Sequence, residues 1–220
     1  MTWMVWAFLV WVLAPAAAGQ STGFEPLPIV LPKPMFEGTP ENLKAPNLAK
    51  PLGKPRPPFL APAGTVNVAR GKPVLYTGLE PAVGDVEMIT DGDKSGADGS
   101  YVELGPNLQS VTIDLQARYT IYAVLVWHYH KQPRVYSDVV VRVADDPDSI
   151  SNVRTLFNND HDNSAGLGIG KELNYVETAE GRLIDAKGVQ ARYVRLYSNG
   201  NHVNPMNHYA EVEVFGKPAE

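Results

Sequence analysis

The segment FNNDHDNSAGLGIG, from Phe157 to Gly170, concentrates groups that can bind a ligand or a metal ion. Six consecutive polar residues, 158–163, supply amides, carboxylates and an imidazole, and three glycines follow within the next seven residues. A buried polar group without a partner costs about 1–3 kcal/mol, so the segment is predicted to be a solvent-facing loop. Three interpretations stay open from the residues alone: a ligand-binding loop, a metal site, or a surface loop that satisfies its own hydrogen bonds.

Histidine and arginine supply a second set of candidate binding groups. His128 and His130 alternate along the apolar run 120–130, so both imidazoles can lie on one face of a strand. Two such histidines could bind zinc or copper with a third ligand, but hydrogen bonding to the protein or to a ligand is the more common role. Arg134 can donate two parallel hydrogen bonds to vicinal hydroxyls, a geometry that a lysine cannot reproduce.

Carbohydrate binding needs polar groups for the hydroxyls and an aromatic face for the C–H side of the ring. Tyr129, Tyr136 and Trp127 are the candidates for that face, although a core position is the favoured prediction for Trp127. An asparagine-rich stretch at 199–208 adds further polar groups. The candidate ligand-binding residues are His128, His130, Arg134, Asn159, His161, Asn163, Asn201 and His208.

A loop interrupted by glycine carries closely spaced oxygen ligands at Asp91, Asp93 and Ser95. Calcium prefers about six to eight oxygen ligands in a flexible arrangement, so the spacing suits a calcium site. The same residues can also form an Asp-Gly turn with no metal. The residues alone leave both interpretations open.

Composition excludes several classes of function. The chain has no cysteine, which excludes disulfides, thiolate metal sites and a cysteine nucleophile. The net charge is -5 and no Lys/Arg-rich stripe is present, which argues against nucleic-acid binding. The sequence also lacks an HExxH motif and a Gly-x-Ser-x-Gly elbow.

The chain is predicted to have three parts. Residues 1–19 combine an apolar run with a small-residue patch, the pattern of a secretory signal peptide, so the protein is expected to be exported to the periplasm, the cell surface or the medium. The alternative is a retained membrane anchor, although Pro15 interrupts the apolar run. Residues 20–64 contain 11 of the 19 prolines and are predicted to be an extended linker, in which the run PIVLPKPMF could instead dock on a surface. Residues 65–217 are predicted to form the folded domain.

Short apolar runs bounded by turn residues dominate this domain and predict an all-β antiparallel sandwich. The clearest runs are VTIDL (111–115), TIYAVLVWHYH (120–130), DVVVRVA (138–144), ARYVRLY (191–197) and YAEVEVF (209–215). In the fourth run, Tyr193, Arg195 and Tyr197 share one face. That face can serve solubility alone or form a stacking surface.

Four motifs in this order resemble a known family: NVARGKPV (67–74), TDGDKSGADGSYVEL (90–104), ARYVRLY and NHYAEVEVFG (207–216). Together they are similar to the discoidin, or coagulation-factor 5/8 type C, family of galactose-binding-like jelly rolls, which includes many bacterial carbohydrate-binding modules. One departure is Tyr101, where many members carry tryptophan.

The resemblance implies an eight-stranded antiparallel β-sandwich that binds a ligand through loops at one end and is not an enzyme. It also implies one structural calcium ion between the Asp91–Ser95 loop and the last strand. Glu211 matches the family position that completes the shell, so the implied metal ligands are Asp91, Asp93, Ser95 and Glu211.

Three functions follow from these observations. The leading hypothesis is an exported, non-catalytic carbohydrate-binding or adhesive module, monomeric and with a structural calcium ion. The alternative is a module that binds a protein of the cell envelope or the extracellular space. A metal-assisted hydrolase using Asp160 and Asp162 is the third, and the polar loops argue against lipid insertion.

Overall fold

The computed structural model describes residues 23–36 and 43–219. The predicted signal peptide, 1–19, lies outside these residues. Within them, no helix is long and apolar enough to cross a membrane.

Two long antiparallel strands, β6 (Gln109–Trp127) and β9 (Arg182–Ser198), form the centre of the sandwich. Their pairing is interrupted by irregularities between Asp114 and Tyr119 and between Ile121 and Ala123. Such bulges bend a strand and increase its twist. The first half of each long strand therefore belongs to one part of the sheet, and the second half belongs to another part with a different orientation.

The first half of β6 pairs with β4 (Val74–Tyr76), and the second half pairs with β11 (Glu211–Pro218). On the other side of β9 lie β7 (Val140–Ala144) and then β8 (Arg154–Asn158), while β3 (Val66–Asn67) flanks β11. A separate two-stranded sheet pairs β5 (Val102–Pro106) with β10 (Met206–Tyr209). One 3-10 helix, Val86–Thr90, precedes the Asp91–Ser95 loop.

The predicted fold class is confirmed, because all the paired strands are antiparallel and the described residues contain no α-helix. The described residues form eleven strands, three more than the resemblance implies. The main core lies between the sheets and contains one face of each central strand, for example Val111, Ile113, Val194, Leu196 and Val212.

The described part of the predicted linker contacts the domain. β1 (Phe24–Pro26) pairs with β2 (Leu60–Pro62), and Leu27 is buried with Ala61 against the outer face of the sheet. Arg56 also donates hydrogen bonds to the carbonyl oxygens of Glu180 and Gly181, at 2.9 Å each. The structure thus differs from an extended spacer, because apolar residues between the prolines cover apolar sheet surface. The boundary at residue 65 stays a prediction.

This second apolar cluster centres on Trp127, which is fully buried and donates its indole N–H to the carbonyl of Ala179 at 2.9 Å. The expectation that Trp127 is a core residue is confirmed. Gly181 lies directly over the indole: a Cβ there would be 2.7 Å from the ring, and its φ of +62° is in the left-handed region.

We predict that Gly181→Ala lowers the free energy of unfolding by about 2–4 kcal/mol, measured by urea denaturation, because it combines overpacking with left-handed strain. Gly166→Ala is the matched control: its φ is +69°, and a Cβ there has no atom within 4 Å. In the control, the free energy of unfolding should fall by only about 1–2 kcal/mol, the cost of an alanine in the left-handed region. Equal losses in the two variants would contradict a steric role for the indole.

Candidate ligand-binding site

Six side chains from three parts of the chain meet at one end of the sandwich and form what we call the Arg134 cluster. They come from strand β5 and the residue before it, from the segment after β6, and from strand β10. Its members are Tyr101, Glu103, Tyr129, Arg134, Tyr136 and His208.

The Arg134 guanidinium lies over the ring of Tyr129, with its central carbon 4.4 Å from the ring centroid. Tyr101 contacts the same tyrosine edge-on, with ring centroids 5.1 Å apart. Arg134 and Tyr101 are only partly buried, so they form the accessible part of the cluster. A guanidinium stacked on an aromatic face is held in place while its N–H groups stay free to donate.

His208 joins the cluster from below and is almost fully buried. Its Nε2 lies 2.9 Å from Glu103 Oε2 and its Nδ1 lies 3.0 Å from the hydroxyl of Tyr136. A carboxylate only accepts hydrogen bonds, so the tautomer that satisfies both contacts donates from Nε2 to Glu103 and accepts at Nδ1 from Tyr136.

Burial, followed by the nearby charges of Arg134 and His128, lowers the pKa of His208 to about 3. The imidazole is therefore neutral at physiological pH. The positive charge of the cluster belongs to Arg134, whose Nη1 lies 3.3 Å from His208 Nε2.

His128 has a structural position beneath this cluster. It is fully buried, its Nδ1 lies 2.6 Å from Glu177 Oε1, and its ring stacks on Tyr136 at 4.4 Å. His128 therefore orients Tyr136 and does not face solvent.

His130 is also fully buried, and its Nε2 lies 2.8 Å from the carbonyl oxygen of Lys94. A Cβ at Gly96 would come within 3.2 Å of the same nitrogen. His130 thus packs against the Asp91–Ser95 loop and connects that loop to the end of β6.

The asparagines act mainly on the backbone. Asn201 bonds through Nδ2 to Asn204 Oδ1 at 2.8 Å and to the Met206 carbonyl at 2.9 Å, and it shapes the turn before β10. Asn159 is buried, and its Oδ1 accepts the amide of Val139 at 2.6 Å, which continues the pairing beyond β8.

The 158–170 segment is a loop, as predicted, and many of its polar groups bond within it. Asn163 Oδ1 accepts the Gly168 amide at 2.6 Å, and the buried Asp160 accepts the amides of Ser164 and Ala165 at 3.0 and 2.9 Å. His161 is partly buried, and its Nε2 has no hydrogen-bond partner. No hydrogen bond among residues 23–36 and 43–219 joins Asn159, His161 or Asn163 to Arg134 or His208.

The structure brings the Asp91–Ser95 loop to the last strand, as the calcium hypothesis requires. The Gly92 amide donates to Glu211 Oε2 at 3.0 Å, while Glu211 Oε1 is buried with no partner. Burial raises the pKa of Glu211 to about 8, and the hydrogen bond from the Gly92 amide opposes this effect. Asp91 and Asp93 each accept a nearby backbone amide, at 2.7 and 3.0 Å, so these two carboxylates also stabilise turns.

A different acidic group has the geometry of a metal site. The carboxylate oxygens of Asp138, Asp160 and Asp162 all lie within 4.8 Å of one another. Sequence reasoning did not select these three residues as metal ligands.

Sequence reasoning missed Glu103 and Glu177, which bond the two buried histidines His208 and His128. Glu103 alternates with apolar residues in β5, and a polar residue in an alternating strand carries no signal of its partner. Tyr101 was noted only as a departure from a motif, yet it forms one wall of the Arg134 cluster.

The arrangement offers a cationic hydrogen-bond donor, a carboxylate acceptor and the partly buried ring of Tyr101 within one patch. Such a set can bond hydroxyls and stack on an apolar ring face. The one hydroxyl of the cluster that lies next to an imidazole, that of Tyr136 beside His208, is buried together with that imidazole.

Several solved structures share this fold at low sequence identity. A family 89 glycoside hydrolase from Clostridium perfringens matches 70% of this chain with a TM-score of 0.51 and 20% identity, and the match spans 15% of that enzyme. A CBM32 module produced by Clostridium perfringens, in complex with GlcNAc-α-1,4-galactose, matches 70% of this chain and 96% of its own, with a TM-score of 0.51 and 17% identity.

A Streptococcus pneumoniae fucose binding module matches 70% of this chain and 98% of its own, with a TM-score of 0.51 and 21% identity. No protein-family model and no curated protein sequence matches the chain. These likenesses establish the fold, and the predicted antiparallel β-sandwich jelly roll is confirmed.

The low pKa of His208 predicts a specific acid sensitivity. The unfolded chain protonates this imidazole near pH 6.5 and the folded protein only near pH 3, so stability present above about pH 6.5 is lost as the pH falls between these values. The loss is at most about 1.4 kcal/mol per pH unit. The free energy of unfolding, measured by urea denaturation at pH values from 7 to 4, should fall less steeply with decreasing pH in His208→Gln than in the wild type.

His202→Gln is the control, because His202 is exposed and accepts only the Val135 amide, at 3.1 Å. His202→Gln should show the same pH dependence of the free energy of unfolding as the wild type. The same pH dependence in His208→Gln would show that the His208 imidazole is not held neutral.

Proposed function

We propose that this protein is an exported, non-catalytic binding module, monomeric and carbohydrate-binding or adhesive, whose Arg134 cluster holds the sugar. The observation that carries the proposal is the position of the Arg134 guanidinium, stacked on Tyr129 and only partly buried. Tyr101 and Glu103 flank it. This combination offers donors and an acceptor for hydroxyls beside aromatic edges for a ring.

The groups around Arg134 support this role, because the Tyr129 ring packs against the guanidinium and no neighbour neutralises it. No carboxylate lies within ion-pair distance of Arg134 among residues 23–36 and 43–219. Its nearest polar side-chain neighbour, His208, is neutral at physiological pH. The guanidinium thus keeps its donors for a ligand.

The similar structures support the same class of ligand. Two of them are described as binding fucose and GlcNAc-α-1,4-galactose, and each is a module of this size. The glycoside hydrolase match covers a small part of the enzyme, so that likeness supports an accessory module more than a catalytic domain.

The hydrolase alternative has little support. Asp160, one of its two candidate carboxylates, is buried and uses both oxygens to accept amides of its own loop. A general acid or base needs an oxygen that can reach the substrate.

One observation favours a protein partner as the second candidate. Residues 28–36 expose apolar side chains between prolines, with Val30 73% exposed and Met35 53% exposed. Extended proline-rich segments of this kind dock into aromatic-lined grooves of other proteins. An envelope partner would contact this segment and leave the Arg134 cluster free.

The glycan proposal is tested by Arg134→Gln. A charge-assisted hydrogen bond contributes about 1.5–3 kcal/mol, so the affinity for a glycan identified on an array should fall by at least roughly tenfold in calorimetry. Arg118→Gln is the control, because Arg118 pairs with Asp145 and lies outside the cluster. Unchanged affinity in a folded Arg134→Gln protein would contradict the assignment, and a blank array would favour the protein partner.

We further propose that a structural calcium ion binds between the Asp91–Ser95 loop and Glu211. Its support is the buried Glu211 oxygen that lacks a partner beside a loop rich in oxygen ligands. Glu213 has a similar unpartnered oxygen, while its other oxygen contacts the Lys94 ammonium. A divalent cation would satisfy these oxygens and link the loop to β11 in a protein that has no disulfide.

Calcium at about one hundred times its Kd should raise the Tm by about 5–10 °C. Glu211→Gln should remove most of this shift, whereas Asp162→Asn should keep it, because Asp162 belongs to the other acidic group. Scanning calorimetry with calcium and with a chelator measures both. Loss of the shift in Asp162→Asn instead would move the ion to Asp138, Asp160 and Asp162.

A further inference from the structure

A row of side chains crosses the outer face of the sheet in the half built from β4, β6, β9, β7 and β8. The strand register places Leu75 opposite Thr112, Thr112 opposite Arg195, Arg195 opposite Arg142, and Arg142 opposite Thr155. We call this the Arg142/Arg195 row. It lies on the face opposite the main core, since Val141, Val143, Val194 and Leu196 point inward.

Two like charges stand directly opposite each other in the middle of this row. Like charges at such positions destabilise a sheet, because the Cβ atoms are only about 4.5–5.5 Å apart. An intervening carboxylate would relieve the repulsion. Among residues 23–36 and 43–219, neither Arg142 nor Arg195 has a carboxylate within ion-pair distance.

The partners of the two arginines are neutral oxygens. Arg142 donates from Nη2 to the carbonyl of Leu167 at 2.5 Å, and its Nε is buried without a partner. Arg195 makes longer contacts, to Ser110 Oγ at 3.1 and 3.3 Å and to the Pro147 carbonyl at 3.4 Å. These bonds orient the guanidinium groups and leave both positive charges uncompensated.

The carboxylates nearest in sequence are already engaged. Asp114 forms a bidentate pair with Arg192 at 2.8 Å. Asp145 contacts Arg118 and accepts from Asn152, and Asp146 accepts amides of its own turn, from Asp148, Ile150 and Ser151.

Aromatic rings lie beside the row on both sides. The Arg195 guanidinium carbon is 5.3 Å from the ring of Tyr197, and Arg192 lies 4.9 Å from the ring of Tyr193. Tyr197 lies opposite Ser110 of β6, and Tyr193 lies opposite Asp114. A sheet face with paired guanidinium groups, the partly exposed Tyr197 and the exposed Thr155 suits a chain that carries both carboxylates and sugar hydroxyls.

We infer that the Arg142/Arg195 row is a second binding surface, separate from the Arg134 cluster, and that it binds the carboxylate groups of an acidic polysaccharide. Each guanidinium can form a bidentate pair with a carboxylate. The ligand supplies the negative charge that the fold leaves out, so binding removes the repulsion between the two strands.

The test is calorimetric titration of the full chain with a galacturonate oligomer, and with a neutral galactan oligomer of equal length. Arg142→Gln and Arg195→Gln should each weaken galacturonate binding by roughly tenfold. Arg154→Gln, which removes the same charge from an exposed residue in register with Val143, should leave the affinity within about twofold. Arg142→Lys and Arg195→Lys keep the positive charge but lose the planar guanidinium that pairs bidentately with a carboxylate, so they should also weaken binding.

Four outcomes would overturn the inference: no galacturonate binding by the wild type, equal weakening by Arg154→Gln, weakening by Arg134→Gln alone, or equal binding of a polyglutamate peptide through the same arginines. The first outcome would mean that the row is a solvated basic face, and the second that galacturonate is attracted by the general positive charge and not by this row. The third would return the acidic ligand to the Arg134 cluster, and the fourth would assign the row to acidic proteins. If Arg134→Gln abolishes neutral glycan binding and spares galacturonate, both surfaces are supported, so each proposal can fail alone.

Discussion

The pairing of β6 with β9 is the constraint on which the rest of the structure depends. These strands of 19 and 17 residues run through both halves of the sandwich. The pairing irregularities near Asp114 and Ile121 bend each strand as it passes from one half to the other. Because side chains alternate along a strand, one register fixes which residues enter the core and which reach the outer face. The same pairing places Arg195 opposite Thr112 and sends β6 on to the end where His128 begins the binding segment.

At that end, the fold buries polar groups and gives most of them partners. His208 lies between Glu103 and Tyr136, and His128 lies against Glu177, so each imidazole has a fixed orientation. A buried neutral imidazole with two hydrogen bonds is rigid, and the partly buried Arg134 lies beside it, stacked on Tyr129. Rigidity below and accessible donors above are the physical requirements of a preorganised binding patch.

The sequence predicted much of this. Alternation in VTIDL and ARYVRLY indicated the sheet, and the resemblance indicated the jelly roll, because core periodicity depends on local residue order. It also selected Arg134, His208 and Glu211. It assigned His128, His130 and Asn159 to the ligand, yet they are buried and bond the protein itself. Residue type shows that a group can bond, but it does not show which partner the fold brings to it.

The sequence by itself determined the strand pattern, the absence of disulfides and the chemical types available to a site. Only the tertiary structure decided that Glu103 meets His208 across 105 positions of chain, that Leu27 and Ala61 cover the sheet around Trp127, and that Arg142 stands opposite Arg195. The physical reason is that these contacts join residues far apart in the chain. Their energies depend on strand register and burial, which no local pattern specifies.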